Sequence, residues 1–144
     1  MVKIEGIIKL TNDGLRVNLD EDFSRYYLWL IHRYYFNCIK LDRPKHGTHL
    51  SIVTKALHNN YFNSEYLSKY HNMQVELFYN PEDLKTGGRN FTNFWFPMEF
   101  ELGTKIKEDL GIVESNFLGF HVVVGNDKNY VGYKSTYKSR PSCS

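Results

Sequence analysis

Apolar and polar residues alternate over the first positions of the chain, with Val2, Ile4 and Ile7-Ile8 set among Lys3, Glu5 and Lys9. A period of two marks a strand with one face against a core. Thr11-Asn12-Asp13-Gly14 is a turn sequence, and Arg16-Val17-Asn18-Leu19 resumes the alternation, so the region predicts a β-hairpin. Asp20-Glu21-Asp22-Phe23-Ser24 then opens a helix that runs to Tyr35, its acidic first turn complementing the helix dipole. Ile39 to Leu41 reads as a strand. The loop signature Arg43-Pro44-Lys45-His46-Gly47-Thr48 leads straight into a second one, His49 to Thr54. Polar, Asn-rich residues from Asn59 to Asn72 predict a loop region with a short helix from Ser64 to Tyr70. Gln74 to Tyr79 and Phe91 to Phe100 alternate as strands, joined by a long Pro81 to Asn90 connection that contains Thr86-Gly87-Gly88. Leu102, Ile106 and Leu110 recur every fourth residue on a helix that Gly111 is placed to stop. His121-Val122-Val123-Val124 is a final strand closed by Gly125-Asn126-Asp127, and the tail after Val131 to Tyr133 is Ser- and Lys-rich and is expected to fray.

Composition narrows the picture. A chain of 144 residues suits one domain, or two small lobes sharing a core. The 18 basic and 16 acidic residues nearly balance, which argues against a dedicated duplex-DNA binder. A locally positive groove remains open, with Arg43, Lys45 and Lys55 flanking the first histidine strand and Lys128, Lys134 and Lys138 following the second. Cys38 and Cys143 suggest neither a disulfide framework nor metal-ligand spacing. Lys3, Glu5 and Lys9 interrupt any secretory signal at Met1 to Leu10, and no run approaches the roughly 20 apolar residues of a membrane span. The expectation is a soluble protein of a reducing cytoplasm. Eleven Tyr, ten Phe and two Trp are many for this length, and most belong in a packed interior. A nucleotide groove also needs exposed rings on which bases stack, each worth roughly 1–3 kcal/mol. Trp95, ahead of the helix that feeds the second histidine strand, is the best candidate. Tyr26, Tyr27 and Trp29 are expected to pack a helix with at most one ring exposed.

The chemistry concentrates in the two strands that carry His49 and His121. Strand residues two apart share a face, so His49 should point with Ser51, and His121 with Val123. A lone strand histidine among six is more often a core or edge residue. Two that meet across one groove can serve as base and acid, because imidazole alone titrates near neutrality without perturbation. Phosphodiester cleavage needs such a pair.

In order along the chain, Pro44, Gly47 and His49-Leu50-Ser51, then Phe94-Trp95-Phe96-Pro97, then Leu102 to Gly111, then Phe120-His121-Val122-Val123-Val124-Gly125-Asn126 resemble the two-histidine (2H) phosphoesterase superfamily, most closely its phage-type members. The resemblance spans nearly the whole chain. It implies a bilobal α+β fold over residues 1–144, with antiparallel sheets forming a central groove and helices outside. It also implies a metal-independent phosphodiesterase with no cofactor, in which His49, Ser51 and His121 are catalytic. Arg43, Lys45, Trp95 and position 123 would hold phosphate or nucleotide. The implied partner is a small nucleotide, a cyclic oligonucleotide or an RNA end carrying a 2′,3′-cyclic phosphate. Phage members of the superfamily include an anti-CBASS nuclease that degrades bacterial immune signalling nucleotides, which would place such a chain in a bacterial host's cytoplasm. One departure stands out: the second motif of the family carries Thr or Ser where this chain has Val123. Removing one oxyanion-stabilising donor costs on the order of 10²–10³ in turnover. The alternative implied is therefore a degenerate member that sequesters a nucleotide without cutting it. A structural or host-interaction protein with incidental histidines is a further alternative.

Overall fold

The computed structural model describes residues 1–35, 39–88, 92–113 and 119–127, and over these the chain is α+β with two antiparallel sheets. β1 (Val2–Thr11) and β2 (Gly14–Leu19) form the expected hairpin. α1 (Glu21–Tyr34) follows, and β3 (His49–Thr54) returns to pair with β2. Two short helices, α2 (Lys55–His58) and α3 (Ser64–Leu67), each continue into a 3-10 turn. β4 (Gln74–Tyr79) then adds to the other edge of β1, giving the order β3-β2-β1-β4. β5 (Lys85–Gly87), β6 (Thr92–Met98), α4 (Glu101–Asp109) and β7 (Phe120–Asp127) build the second sheet, ordered β5-β6-β7. The succession hairpin, helix, strand thus occurs twice, as β1-β2-α1-β3 and as β5-β6-α4-β7.

The two sheets meet where β3 lies against β7, each being an outer strand of its own sheet. The helices cross over: α1 packs on β7, and α4 packs on β3. α1 starts at Asp20, whose carboxylate accepts the Asp22 N–H at 2.9 Å. Ser24, Tyr27, Leu28 and Ile31 recur at helical spacing and are its buried residues. An aromatic cluster joins the halves. Tyr27 packs edge-on against Phe96 of β6 at 4.6 Å between centroids, and its hydroxyl lies 2.8 Å from that of Tyr79 of β4. Such pairs add roughly 0.5–1.5 kcal/mol beyond their burial. Gly111 (φ +74°) stops α4 as anticipated, with Ile112 N–H bonded to the Lys107 carbonyl at 3.0 Å.

Several expectations need correction. Ile39 to Leu41 is not a strand; that stretch touches the sheet only through the bridge between Asp42 and Asn126. The long connection after Pro81 contains β5, held by pairing to β6 rather than by any propensity of Lys85-Thr86-Gly87. Gly125-Asn126-Asp127 does not close β7 but continues it, because Thr92 to Phe94 pair with those residues. Both Tyr26 and Trp29 are exposed, at 54% and 53%, and only Tyr27 is buried. They lie off the buried stripe of α1, and the Arg33 guanidinium stacks on Trp29. Cys38, Phe91 and everything from Lys128 onward, including Lys134, Lys138 and Cys143, lie outside the described residues. Among the described residues, no helix is long and apolar enough to cross a membrane.

Candidate active site

β3 and β7 present matching residues at the junction of the sheets. Leu50 and Ile52 of β3, and Val122 and Val124 of β7, turn into the core, so His49 with Ser51 and His121 with Val123 face outward. Each strand carries a bulge one position after its motif. β3 pairs Val53 with Leu15 but Ser51 with Arg16, leaving Ile52 unmatched. β7 pairs Gly125 with Phe94 but Val123 with Trp95, leaving Val124 unmatched. Bulges bend a strand and re-aim its side chains. Here they let both motif faces turn toward each other while the following residues remain in the core.

The two imidazoles are oriented by the same device. Gly47 and Gly119, each two residues before its histidine, adopt φ of +80° and +84°, a region that side chains with a Cβ avoid. Their carbonyls lie 2.9 Å from His49 Nδ1 and 3.2 Å from His121 Nδ1. A carbonyl oxygen only accepts, so Nδ1 carries the proton in the neutral ring and Nε2 is left for chemistry. Three other histidines have their ring nitrogens occupied differently: His32 accepts from Leu41 N–H, His58 from Thr54 N–H and His71 from Leu10 N–H. They staple loops to the fold. His46 is exposed in the loop before β3.

Pro44, Gly47, His49, Ser51, His121 and Val123 line a cleft of about 60 Å³. Pockets that enclose whole ligands run to about 300–1,000 Å³, so this one has room only for a compact group of about phosphate size. A groove of about 660 Å³ beside β4 is lined by Glu5, Glu76, Glu99 and Glu101 along with Met73 and Phe78. Four carboxylates repel a phosphate, so size does not make that groove the nucleotide site.

The loop entering β3 is fastened by Glu21, which the sequence marks only as an acidic residue of a helix start. Its carboxylate accepts from Thr48 N–H at 2.8 Å, from Thr48 Oγ1 at 3.0 Å and from Arg43 at 3.2 Å. The Thr48 N–H is the main reason the Glu21 carboxyl is held below its ordinary value of 4.5, against an opposing effect of burial; the Thr48 hydroxyl and Arg43 help. A carboxylate with a depressed folded value stabilises the fold above pH 4.5, and that contribution is lost as pH falls through the depressed value. The Gly47 and Thr48 amide signals are therefore expected to shift in the acid range before the protein as a whole unfolds. Gly47→Ala attacks the same loop. Its Cβ would stand 2.8 Å from Glu21 Oε1 at a left-handed backbone position, and a loss of about 1–2 kcal/mol by denaturant unfolding is expected.

Burial is the main cause that lowers His49 below its ordinary 6.5, and the Arg16 and His46 charges add to it; the Gly47 carbonyl and Glu21 oppose. Half-buried His49 thus favours its neutral, proton-accepting form, while His121 is exposed. The structure brings together His49, Ser51, His121 and Val123, and sets the Trp95 ring edge-on to His121 at 5.6 Å. Arg43 and Lys45 are exposed and do not line the cleft, Arg43 being engaged with Glu21. Lys55 heads α2, with its ammonium over the Phe62 ring. No protein-family model matches the chain, and neither does any curated protein or solved structure.

Proposed function

We propose that this chain is a phosphodiesterase of the two-histidine type, one domain of two lobes with its active cleft between β3 and β7. The observation that carries the reading is the cleft itself, in which two imidazoles from separate sheets, each fixed through Nδ1 by a glycine carbonyl, face a phosphate-sized space. Neutral His49 accepts through Nε2 the proton of the attacking 2′-hydroxyl or water as its oxygen bonds to phosphorus. His121, protonated, gives the Nε2 proton to the departing oxygen as the P–O bond breaks. Ser51 donates to a non-bridging oxygen. Proton transfer of this kind requires no metal, so turnover in excess chelator is expected.

The substrate class is a 2′,3′-cyclic phosphate, or a 3′–5′ linkage in a small RNA or cyclic oligonucleotide, including those of bacterial immune signalling. The small cleft favours recognition of the phosphate over the base, and the half-buried Trp95, packed beside His121, is the ring we assign to stacking a base outside it. Incubation with 2′,3′-cyclic nucleotides and a panel of cyclic oligonucleotides tests the reading; no turnover of any of them overturns it. A defence assay in bacteria that use cyclic oligonucleotides separates immune evasion from RNA-end processing, since only the former restores phage growth. Because His49 is held below 6.5, the acid limb of kcat/KM is expected below that pH. The same shift adds stability above pH 6.5 that is lost as pH falls through the lowered value of the folded protein.

Val123 favours a second reading, a nucleotide-sequestering protein. Calorimetry that gives tight binding, with the ligand recovered intact, would support it over cleavage.

A further inference from the structure

Arg16 of β2 stands directly across from Ser51 of β3, where the pairing steps past Ile52. Opposed residues of an antiparallel pair project from the same sheet face, so the guanidinium shares the face of Ser51 and His49. Arg16 is half-buried, and its Nε–H is cut off from solvent with no hydrogen-bond acceptor among the described residues. Buried polar groups nearly always have a partner. Arg16 stands behind the lining residues rather than among them, and its charge on the sheet face of Ser51, close enough to act on His49, makes that side of the cleft the one suited to an anion. The matching place in the other sheet differs. Across from Val123 stands Trp95, an aromatic ring and no cation. Donors for a phosphate therefore gather on the β2–β3 side of the cleft.

We propose that Arg16 is an anion-binding residue of this cleft, donating to a non-bridging phosphate oxygen beside Ser51 and supplying the contact that the Val123 side chain cannot make. This rests on the phosphodiesterase reading and identifies what holds its substrate. Guanidinium suits the task, since its planar fork matches phosphate geometry and stays charged at any working pH. Its position also serves His49. The groups facing that imidazole are Arg16 from β2, His46 and the Gly47 carbonyl from the loop, Glu21 from α1 and, across the cleft, His121 from β7. Arg16 and His46 disfavour its protonation, whereas Glu21 and the Gly47 carbonyl favour it.

The test follows the ring signals of His49 and His121 by NMR while inorganic phosphate is added to wild type, Arg16→Met and Arg16→Lys. In wild type, phosphate is expected to move both rings. Arg16→Met is expected to weaken phosphate binding at least about tenfold and to raise the titration midpoint of His49, with Arg16→Lys recovering part of both. Phosphate affinity within about twofold of wild type in Arg16→Met overturns the role of Arg16 while leaving the two-histidine site standing. Phosphate that moves neither ring in wild type overturns both. A folded state is verified by the ring signals of the ligand-free variants. If Arg16→Met does not fold, Arg16→Gln takes its place, and the same tenfold loss or its absence decides.

Discussion

His49→Ala and His121→Ala each lower kcat by on the order of 10²–10⁴-fold on a susceptible cyclic phosphate, with a smaller change in KM. In the proposed mechanism the loss falls on kcat because Nε2 would act as the proton moves, whereas Ser51 and Arg16 would hold the phosphate in ground and transition states alike. The two losses do not add. If base and acid act as one unit, as proposed, the double variant is expected to resemble the worse single one. Folding is a separate matter. His121 is exposed, so losing its bond to the Gly119 carbonyl leaves stability nearly unchanged, while the bond of half-buried His49 to the Gly47 carbonyl is better shielded. Deleting that bond costs about 1 kcal/mol. Melting curves recorded alongside turnover distinguish the two effects. A kcat within about threefold of wild type in either variant overturns the assignment of acid and base.

Val123→Thr raises turnover. The threonine keeps the shape of valine and adds a donor on the β7 side of the phosphate, where charge accumulates as the new P–O bond forms. One such donor is worth on the order of 10²–10³ in turnover, and with Arg16 serving the same phosphate as proposed, a gain of about tenfold is expected. The gain should be larger in the Arg16→Met background, and the double-mutant cycle measures that coupling. Val123 is half-buried and lines the cleft, so the hydroxyl can reach solvent or substrate. Were it unpartnered, the substitution would cost roughly 1–3 kcal/mol of stability. A fall in stability with no gain in turnover would place the side chain in the core and remove position 123 from the phosphate site. Under the sequestering reading the same substitution turns a binder that leaves its ligand intact into a slow enzyme.

The histidine strands were legible in the sequence because alternation is a local property: Leu50 and Ile52, like Val122 and Val124, mark the inward face without reference to anything distant. The helix of α4 and its stop at Gly111 were legible for the same reason. β5 was not. Three residues with a glycine carry no strand signal, and only β6 makes them one. Ile39 to Leu41 shows the converse: Leu41 is buried, yet pairing with β7 is confined to the single bridge at Asp42 and never becomes a strand. The supporting residues were harder still. Arg16 occupies a polar slot in an alternating hairpin and reads as a solvent-facing residue until the bulge sets it opposite Ser51. Glu21 has an adequate local explanation at a helix start, which conceals its bonds to Thr48 and Arg43. Arg43 and Lys45 carry charge near a motif, yet nearness in sequence does not put them on the cleft wall.

The crossing of the helices has a consequence for how the activity can be lost. α1 belongs to the half that contributes His49 but braces the strand that carries His121, and α4 does the reverse. Each half-chain loses the helix packed on its own histidine strand, although α1 keeps its Glu21 tie to the loop entering β3. Each also holds only one of the two imidazoles, so two fragments severed between Tyr79 and Lys85 should each be inert and recover function only on recombining. In the intact chain, release of either helix takes support from the histidine strand of the other half. Heating should therefore extinguish turnover at the temperature where the whole fold gives way, rather than in an earlier step confined to the cleft.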